Sequence, residues 1–165
     1  MTLLFTIRQA SQQEAALIAR QRKLMFAEEK HFSEADLVQM EGRYETWVTS
    51  KLATGDYQGW FAVSQSGEVI GGVGLWLREW PPILNNYTGK QGYIENVFTL
   101  PAYRRKGVAR QLMIALLEWV RTSQIAYEIE LHPTQMAHSL YSSLGFESNH
   151  AVMSQWLGPK HDDKK

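Results

Sequence analysis

Residues 93–109 read YIENVFTLPAYRRKGVA, in which an apolar segment runs into a proline and then into a basic segment. The apolar segment predicts a β-strand over 93–99, and Pro101 ends it because proline cannot donate to a sheet ladder. Apolar residues spaced for one helical face predict a long helix over 104–122. A further strand is predicted over 125–132, so the two strands of this strand–helix–strand unit are expected to be parallel.

Outside this unit, the sequence predicts the rest of a mixed α/β sheet. Ser11 begins a capping-box pattern, and Ser33 marks a second helix start. Residues 65–67 are expected to turn an antiparallel hairpin, and residues 83–91 to form a loop. The remaining predicted elements are strands at 3–8, 57–64, 68–77 and 151–157 and helices at 11–29, 33–52 and 134–144.

The composition fits a single folded domain. The chain has 165 residues, of which 44% are hydrophobic, and we expect one domain over residues 1–158 with a disordered polar tail at 159–165. Lys plus Arg and Asp plus Glu both number 17, and this zero balance argues against a general nucleic-acid binder.

Residue types that are absent exclude further classes. The chain has no cysteine, which excludes disulfides, a thiolate nucleophile and Cys-ligated metals, and its five histidines show no metal-ligand spacing. We therefore predict no metal. The longest apolar run, 112–117, is far shorter than the roughly 20 residues of a spanning helix, and the first residues lack a signal-peptide pattern. These observations predict a cytoplasmic protein with no membrane partner.

The start of the long predicted helix is unusually basic. A helix N-terminus already carries partial positive charge, so cations there are unfavourable unless an anion is bound. Gly107, followed by the small Ala109, lets backbone amides approach a ligand closely. The segment therefore predicts a phosphate or pyrophosphate site, the alternative being a solvated basic turn. The basic residues concerned are Arg104, Arg105, Lys106 and Arg110.

Two motifs carry a resemblance to a known family. Residues 93–109 resemble the acyl-CoA motif of the GNAT superfamily of N-acetyltransferases, whose Arg/Gln-x-x-Gly-x-Gly/Ala loop matches residues 104–109. Residues 140–146, LYSSLGF, are similar to the family's Leu-Tyr-x-x-Leu-Gly-Phe. The resemblance implies a single-domain GNAT-like fold: a mixed, mostly antiparallel sheet of about six or seven strands with a central parallel splayed pair, flanked by about four helices.

The resemblance also implies how acetyl-CoA binds. The pantetheine arm would lie between the splayed strands, and the pyrophosphate on the loop amides, with the basic side chains adding charge pairing. Thr134 stands where many family members have an asparagine that holds the cofactor. The residues assigned to the cofactor in this way are Val97, Phe98, Thr99, Arg104, Arg105, Lys106, Gly107, Val108, Ala109, Arg110 and Thr134.

The implied reaction is direct transfer of an acetyl group from acetyl-CoA to an amine. Tyr141 matches the family's usual general acid, since a phenol with a pKa near 10 can donate to a thiolate. Glu95 is the first candidate for the base, the alternative being a carboxylate that simply faces solvent. His132 is the second candidate, because it alternates with Glu128 and Glu130 onto one strand face.

The sequence indicates less about the acceptor amine than about the cofactor. Residues 28–45 hold six acids, which either form a wall that attracts a cationic amine or cover a solvated helix face. Trp76, Trp80, Pro81 and Pro82 either line the cleft or belong to the core. The expected partner is a small-molecule or peptide amine, and because many relatives are dimers a homodimer is also allowed.

Two other function classes compete with the enzyme. The first is a non-catalytic acyl-CoA-binding sensor on the same fold, which Tyr141 argues against. The second is a nucleic-acid module that uses the basic loop, which the zero net charge argues against.

Overall fold

The computed structural model describes residues 4–148 and Gln155. Its elements follow the chain order β-α-α-β-β-β-α-β-α, as the sequence predicts up to this point. The predicted strand at 151–157 and the tail at 159–165 lie outside the described residues. The elements are β1 Phe5–Gln9, α1 Ala15–Ala27, α2 Glu34–Thr54, β2 Tyr57–Ser64, β3 Val69–Glu79, β4 Lys90–Thr99, α3 Val108–Ser123, β5 Ile129–Glu130 and α4 His138–Ser143.

The described strands form one five-stranded mixed sheet in the order β1-β2-β3-β4-β5. The pairs from β1 to β4 are antiparallel, and β4 pairs with β5 in parallel, which confirms the predicted mixed sheet and its parallel pair. The sequence predicts about six or seven strands, whereas the described residues hold five. The four helices agree with the prediction.

Element bounds differ from the prediction at three places that concern the site. The helix predicted from residue 104 begins only at Val108, because Arg105 (φ 62°) and Gly107 (φ 80°) adopt left-handed backbone conformations that no helix contains. Conversely, β4 begins inside the predicted loop, because Lys90 pairs with Glu79 at the end of the hairpin. The strand predicted over 125–132 is reduced to Ile129–Glu130.

Helices α1 to α3 pack on the two faces of the sheet. Trp60 contacts Trp119 of α3, with ring centroids 5.8 Å apart. The next residue, Phe61, belongs to a buried cluster with Ile18 of α1 and Val48 of α2. Because neighbouring strand residues point to opposite faces, α3 covers one face of the sheet, and α1 and α2 cover the other.

The described residues divide into two compact units between His132 and Pro133. The first unit contains the sheet and α1 to α3. The second contains α4. Among the described helices, none combines the length and the apolar character that crossing a bilayer requires.

The predicted capping box at Ser11 is confirmed. The amide of Ser11 donates to the Glu14 carboxylate at 2.8 Å, and Arg8 donates to the same carboxylate at 2.7 and 2.9 Å. The hydrogen bond from Arg8 is the largest cause that lowers the pKa of Glu14 to about 2. The charged form of Glu14 therefore stabilises the junction between β1 and the helical segment that follows.

We expect Glu14→Gln to lower the free energy of unfolding by about 1 kcal/mol at pH 7. Because the folded-state pKa lies below the unfolded one, this contribution is present above the ordinary glutamate pKa and is lost as the pH falls toward 2. Urea unfolding of both proteins at several pH values measures it. A difference that stays constant down to pH 2 would contradict the assignment.

Candidate active site

A β-bulge shapes the middle of β4. The strand holds one more residue than β3 between the pairs Gly74–Glu95 and Gly72–Phe98, and Asn96 sits there with φ 55°. Asparagine tolerates this left-handed conformation better than most residues. A bulge bends its strand, increases the local twist and changes the direction of nearby side chains, so it sets the position of Glu95.

The parallel pair separates close to the bulge. β4 and β5 pair at Gly92–Ile129 and Tyr93–Glu130, and their ladder goes no further within the described part of the chain. β4 itself continues to Thr99. The predicted parallel pair is therefore confirmed, and the segment of β4 after Tyr93 extends beyond it within the described residues. The splay between the two strands stays a prediction.

Glu95 lies in a polar cluster with Arg22, Tyr44 and Asn96, which we call the Glu95 cluster. Its carboxylate accepts a hydrogen bond from the Tyr44 hydroxyl and lies 3.4 Å from the Arg22 guanidinium. Asn96 closes the cluster, since its amide nitrogen donates to Tyr44 and its carbonyl oxygen accepts from Arg22, both at 2.8 Å. The structure thus rejects the alternative of a carboxylate that simply faces solvent: the side chain is 12% exposed.

The environment of Glu95 alters its acidity. Burial raises the pKa of Glu95 above its ordinary value, while the hydrogen bond from Tyr44 and the charge of Arg22 partly offset this effect. Burial also raises the pKa of Tyr44, which stays a neutral hydrogen-bond donor. A carboxylate with increased proton affinity, just beyond the last pair of β4 with β5, is suited to accept a proton.

Aromatic side chains pack against the Tyr44 side of the Glu95 cluster. Tyr57 is fully buried, and a Cβ at position 74 would lie 1.8 Å from its hydroxyl, so glycine is required at this position. Trp47 packs against Tyr44 and Tyr57, with centroids 5.4 and 6.2 Å away. Trp47 also contacts Trp76 edge-on at 5.2 Å, which assigns Trp76 to core packing rather than to a free cleft wall.

The second base candidate has a different environment. His132 is exposed, and its Nδ1 lies 2.7 Å from the Tyr93 hydroxyl. Its neighbour on the strand face, Glu130, forms an ion pair with Arg78 at 2.8 Å and accepts a hydrogen bond from Gln91. These groups lie around the paired end of β4 and β5 and share no hydrogen bond with the Glu95 cluster in the described residues.

One of the basic side chains of the loop, that of Arg104, already forms contacts within the protein. Arg104 donates from Nε to the Thr99 carbonyl at 3.1 Å and forms an ion pair with Glu28. Arg105 and Lys106 are exposed, and the Lys106 ammonium lies 5.4 Å from the Tyr103 ring centroid. The loop therefore presents two exposed cations and a third that is already paired.

Backbone groups at the loop fit an anionic ligand. The first hydrogen bond of α3 runs from the Gln111 amide to the Gly107 carbonyl at 3.0 Å, so the amides of Val108 and Ala109 have no partner within the helix. The Thr99 hydroxyl is buried and has no hydrogen-bond partner in the described part of the chain. These unsatisfied polar groups are consistent with the predicted cofactor site.

The second unit contains Thr134 and Tyr141. Thr134 is exposed and precedes a short 3-10 turn, where its carbonyl accepts from the Ala137 amide at 3.0 Å. Tyr141 is 7% exposed, and burial raises its pKa. Gly145 (φ 90°) turns the chain after α4 so that the Phe146 ring packs on Tyr141 with centroids 6.0 Å apart. This contact explains the spacing of the Leu-Tyr-x-x-Leu-Gly-Phe motif.

A cavity of about 410 Å³ that is widely open to solvent borders the Glu95 cluster. Two of its walls, Arg22 and Tyr44, belong to the cluster itself. Its lining residues include two arginines and no acid: Arg22, Gln39, Met40, Arg43 and Tyr44.

The acids of residues 28–45 do not line this cavity. Glu28 pairs with Arg104, Glu34 and Glu41 pair with Lys23, and Asp36 caps the start of α2. These contacts favour the alternative of a solvated helix face over a wall beside the acceptor. In the described residues, no group of three or more His, Asp or Glu side chains could hold a metal ion.

The sequence matches the Acetyltransferase (GNAT) family over residues 22–146. This match covers more than half of the chain. The chain belongs to the GNAT acetyltransferase family. No curated protein matches the sequence.

Solved structures share the fold of this GNAT acetyltransferase. A GCN5-related N-acetyltransferase from Ralstonia eutropha JMP134 is 28% identical, with a TM-score of 0.80, covering 93% of this chain and 99% of that one. A predicted acetyltransferase with acetyl-CoA from Clostridium acetobutylicum is 23% identical, with a TM-score of 0.82 and coverages of 93% and 96%. Glucosamine-6-phosphate N-acetyltransferase from Arabidopsis thaliana is 14% identical, with a TM-score of 0.66 and coverages of 93% and 99%.

Sequence reasoning missed three members of the acetyltransferase's Glu95 cluster. Arg22 and Tyr44 lie on α1 and α2, far from either motif in the chain, and no local pattern distinguishes them from ordinary helix residues. Asn96 offered a signal, because a polar asparagine inside an apolar strand is typical of a bulge or turn conformation.

Proposed function

We propose that this GNAT acetyltransferase is an N-acetyltransferase that moves an acetyl group from acetyl-CoA directly to a primary amine of a small molecule or peptide. The observation that carries the proposal is the largely buried Glu95, which a bulge holds just beyond the paired end of β4 and next to two residues that line a cavity. The Clostridium acetobutylicum relative was solved with acetyl-CoA, and the Arabidopsis thaliana relative is an N-acetyltransferase of an amino sugar phosphate.

The cofactor would bind along β4 and the loop that follows. The backbone of Val97, Phe98 and Thr99 would pair with the pantetheine arm, and the unpartnered Thr99 hydroxyl offers a further polar contact. The pyrophosphate would accept hydrogen bonds from the amides at the start of α3, where the helix dipole favours an anion. Arg105 and Lys106 would add charge pairing from the solvent side.

The chemistry requires a neutral amine and a protonated leaving group. Glu95 would take a proton from the ammonium form of the acceptor, directly or through water, which frees the nitrogen lone pair. The nitrogen attacks the thioester carbon, the C–N bond forms, the C–S bond breaks, and the nitrogen releases its second proton to solvent. Tyr141 would give a proton to the departing thiolate and regain one from solvent, and its raised pKa keeps the phenol protonated at neutral pH.

The proposal includes a cytoplasmic location. The chain has no cysteine, which suits a reducing compartment.

Tyr141→Phe tests the proposal. We expect kcat to fall by about 10²-fold, the lower end for loss of a general acid, while calorimetric affinity for acetyl-CoA is unchanged. Release of the CoA thiol with a panel of primary amines measures turnover. Tyr127→Phe is the matched control, since Tyr127 is 62% exposed.

Two outcomes would contradict the proposed function. Absence of acetyl-CoA binding by the unmodified protein would remove its basis. Tight acetyl-CoA binding without turnover of any amine would favour the non-catalytic acyl-CoA sensor.

A further inference from the structure

The cavity beside the Glu95 cluster has a basic wall. Its volume of about 410 Å³ suits a small molecule, and Arg22 and Arg43 contribute two positive charges to the lining. The remaining lining residues, Gln39, Met40 and Tyr44, carry no charge at neutral pH. A ligand in this cavity therefore meets a positive field rather than the negative one that the composition of residues 28–45 suggests.

The two arginines differ in whether other side chains of the protein bind them. Arg22 is held by Glu95 and Asn96, and its guanidinium stacks 4.5 Å from the Tyr44 ring centroid. Its charge is offset by that of Glu95, and its geometry is fixed. Arg43 is exposed and forms no ion pair or hydrogen bond with any described residue.

No acid on the same face of α2 compensates Arg43. Helix neighbours face one another at spacings of three and four residues, which for Arg43 are the uncharged Gln39, Met40, Thr46 and Trp47. Glu41 and Glu45 lie two positions away, outside this spacing. Glu41 is moreover engaged with Lys23 at 3.5 Å. The positive charge of Arg43 is therefore available to a ligand.

We infer that the acceptor is an amine that also carries an anionic oxygen group, a carboxylate or a phosphate, which Arg43 binds in this cavity. The inference rests on the proposed function. Tyr44 and Arg22 line the cavity together with Arg43, and both contact Glu95, so the candidate base lies directly behind the wall that faces Arg43. An acceptor with its amine at Glu95 and its anion at Arg43 satisfies both, whereas a second ammonium in place of the anion is repelled.

The test compares amines of matched basicity and length. The first set is 5-aminopentanoate, pentylamine and 1,5-diaminopentane, and the second is 2-aminoethyl phosphate against ethanolamine. We expect the anionic member of at least one set to have a kcat/KM about tenfold or more above the neutral member, because a charge-assisted contact has this magnitude. The diamine should be the poorest substrate. The set with the larger ratio distinguishes carboxylate from phosphate.

Arg43→Gln should abolish this preference mainly through KM. The kcat/KM of the anionic amine falls about tenfold, while that of its neutral counterpart stays within about twofold. Arg43→Glu should reverse the order and favour the diamine. Lys51→Gln is the matched control, because it removes the same charge from the same helix two turns further on. It should retain the unmodified ratio.

The outcomes separate the inference from the proposed function. Turnover that is indifferent to the acceptor's charge, or a preference that Arg43→Gln leaves intact, overturns the inference while the N-acetyltransferase stands. Calorimetric titration with 5-aminopentanoate and with 2-aminoethyl phosphate, each in the presence of CoA, tests binding alone. Binding that Arg43→Gln weakens, without turnover of any amine, supports the inference and overturns the proposed function. Failure of both compounds to bind overturns the inference.

Discussion

Glu95→Gln should lower kcat for amine acetylation by about 10²- to 10⁴-fold at pH 7.5, the range for loss of a general base. Glutamine keeps the size of the side chain and can still accept from Tyr44 and Arg22, but it cannot take a proton. Acetyl-CoA affinity should change little, since Glu95 precedes the cofactor-binding part of β4. Steady-state kinetics with a saturating amine and calorimetry with acetyl-CoA measure the two effects.

The pH profile adds a readout that loss of structure would not produce. Glu95 must be ionised to act, and burial raises its pKa, so the acidic limb of kcat/KM should lie above the ordinary glutamate value of about 4.3. The hydrogen bond from Tyr44 favours the ionised form. Tyr44→Phe removes it, so the limb should move to higher pH.

Glu118→Gln serves as the matched control, because Glu118 is exposed on α3 and should leave kcat and the pH limb unchanged. A Glu95→Gln enzyme with more than about half of the normal kcat would contradict a role in proton transfer, given the magnitude expected of a general base. A Tyr44→Phe limb that moves to lower pH would contradict the described hydrogen bond.

Charge reversal in the loop is the second large effect. Arg105→Glu/Lys106→Glu should weaken acetyl-CoA binding by about 100-fold or more, since each charge-assisted phosphate contact contributes about tenfold and each new carboxylate repels the phosphates. Both side chains are exposed, so the fold should survive the changes. Calorimetric titration with acetyl-CoA at fixed ionic strength measures the loss.

The same titration at rising salt should show the unmodified protein losing affinity, while the variant responds less or in the opposite sense. Lys51→Glu/Arg121→Glu makes the same change of net charge at the C-terminal turns of α2 and α3 and should bind acetyl-CoA normally. Equal affinity of the loop variant and this control for acetyl-CoA would contradict a cofactor-binding role and support the alternative that the loop is a solvated basic turn.

Much of the fold was predictable because its signals are local. The apolar strand before Pro101, the helix-spaced apolar residues after it, the capping box at Ser11 and the helix start at Ser33 are signals that act within a few residues, and the structure confirms them. The late start of α3 was not predicted. It depends on left-handed conformations at Arg105 and Gly107, of which only the glycine gives a signal in the sequence.

The site was predictable only where it lies on the motifs. Glu95 was identified from its place on the strand, but its burial and acidity depend on Arg22 and Tyr44, which lie 73 and 51 residues away in the chain. The engagement of Arg104 by Glu28, 76 residues earlier, was also outside the reach of local patterns. The ion pairs of Glu28, Glu34 and Glu41 also depend on residues outside the 28–45 segment, so its composition alone could not show which charge the cavity presents.

The brief pairing of β4 with β5 has a consequence for handling the protein. After Tyr93, the edge of β4 that faced β5 has no further ladder among the described residues, and an unpaired edge is a template for strand addition by other chains. A ligand that covers this edge stabilises the native state by mass action and competes with such self-association. Purification and storage with excess CoA should therefore suppress aggregation and raise the melting temperature.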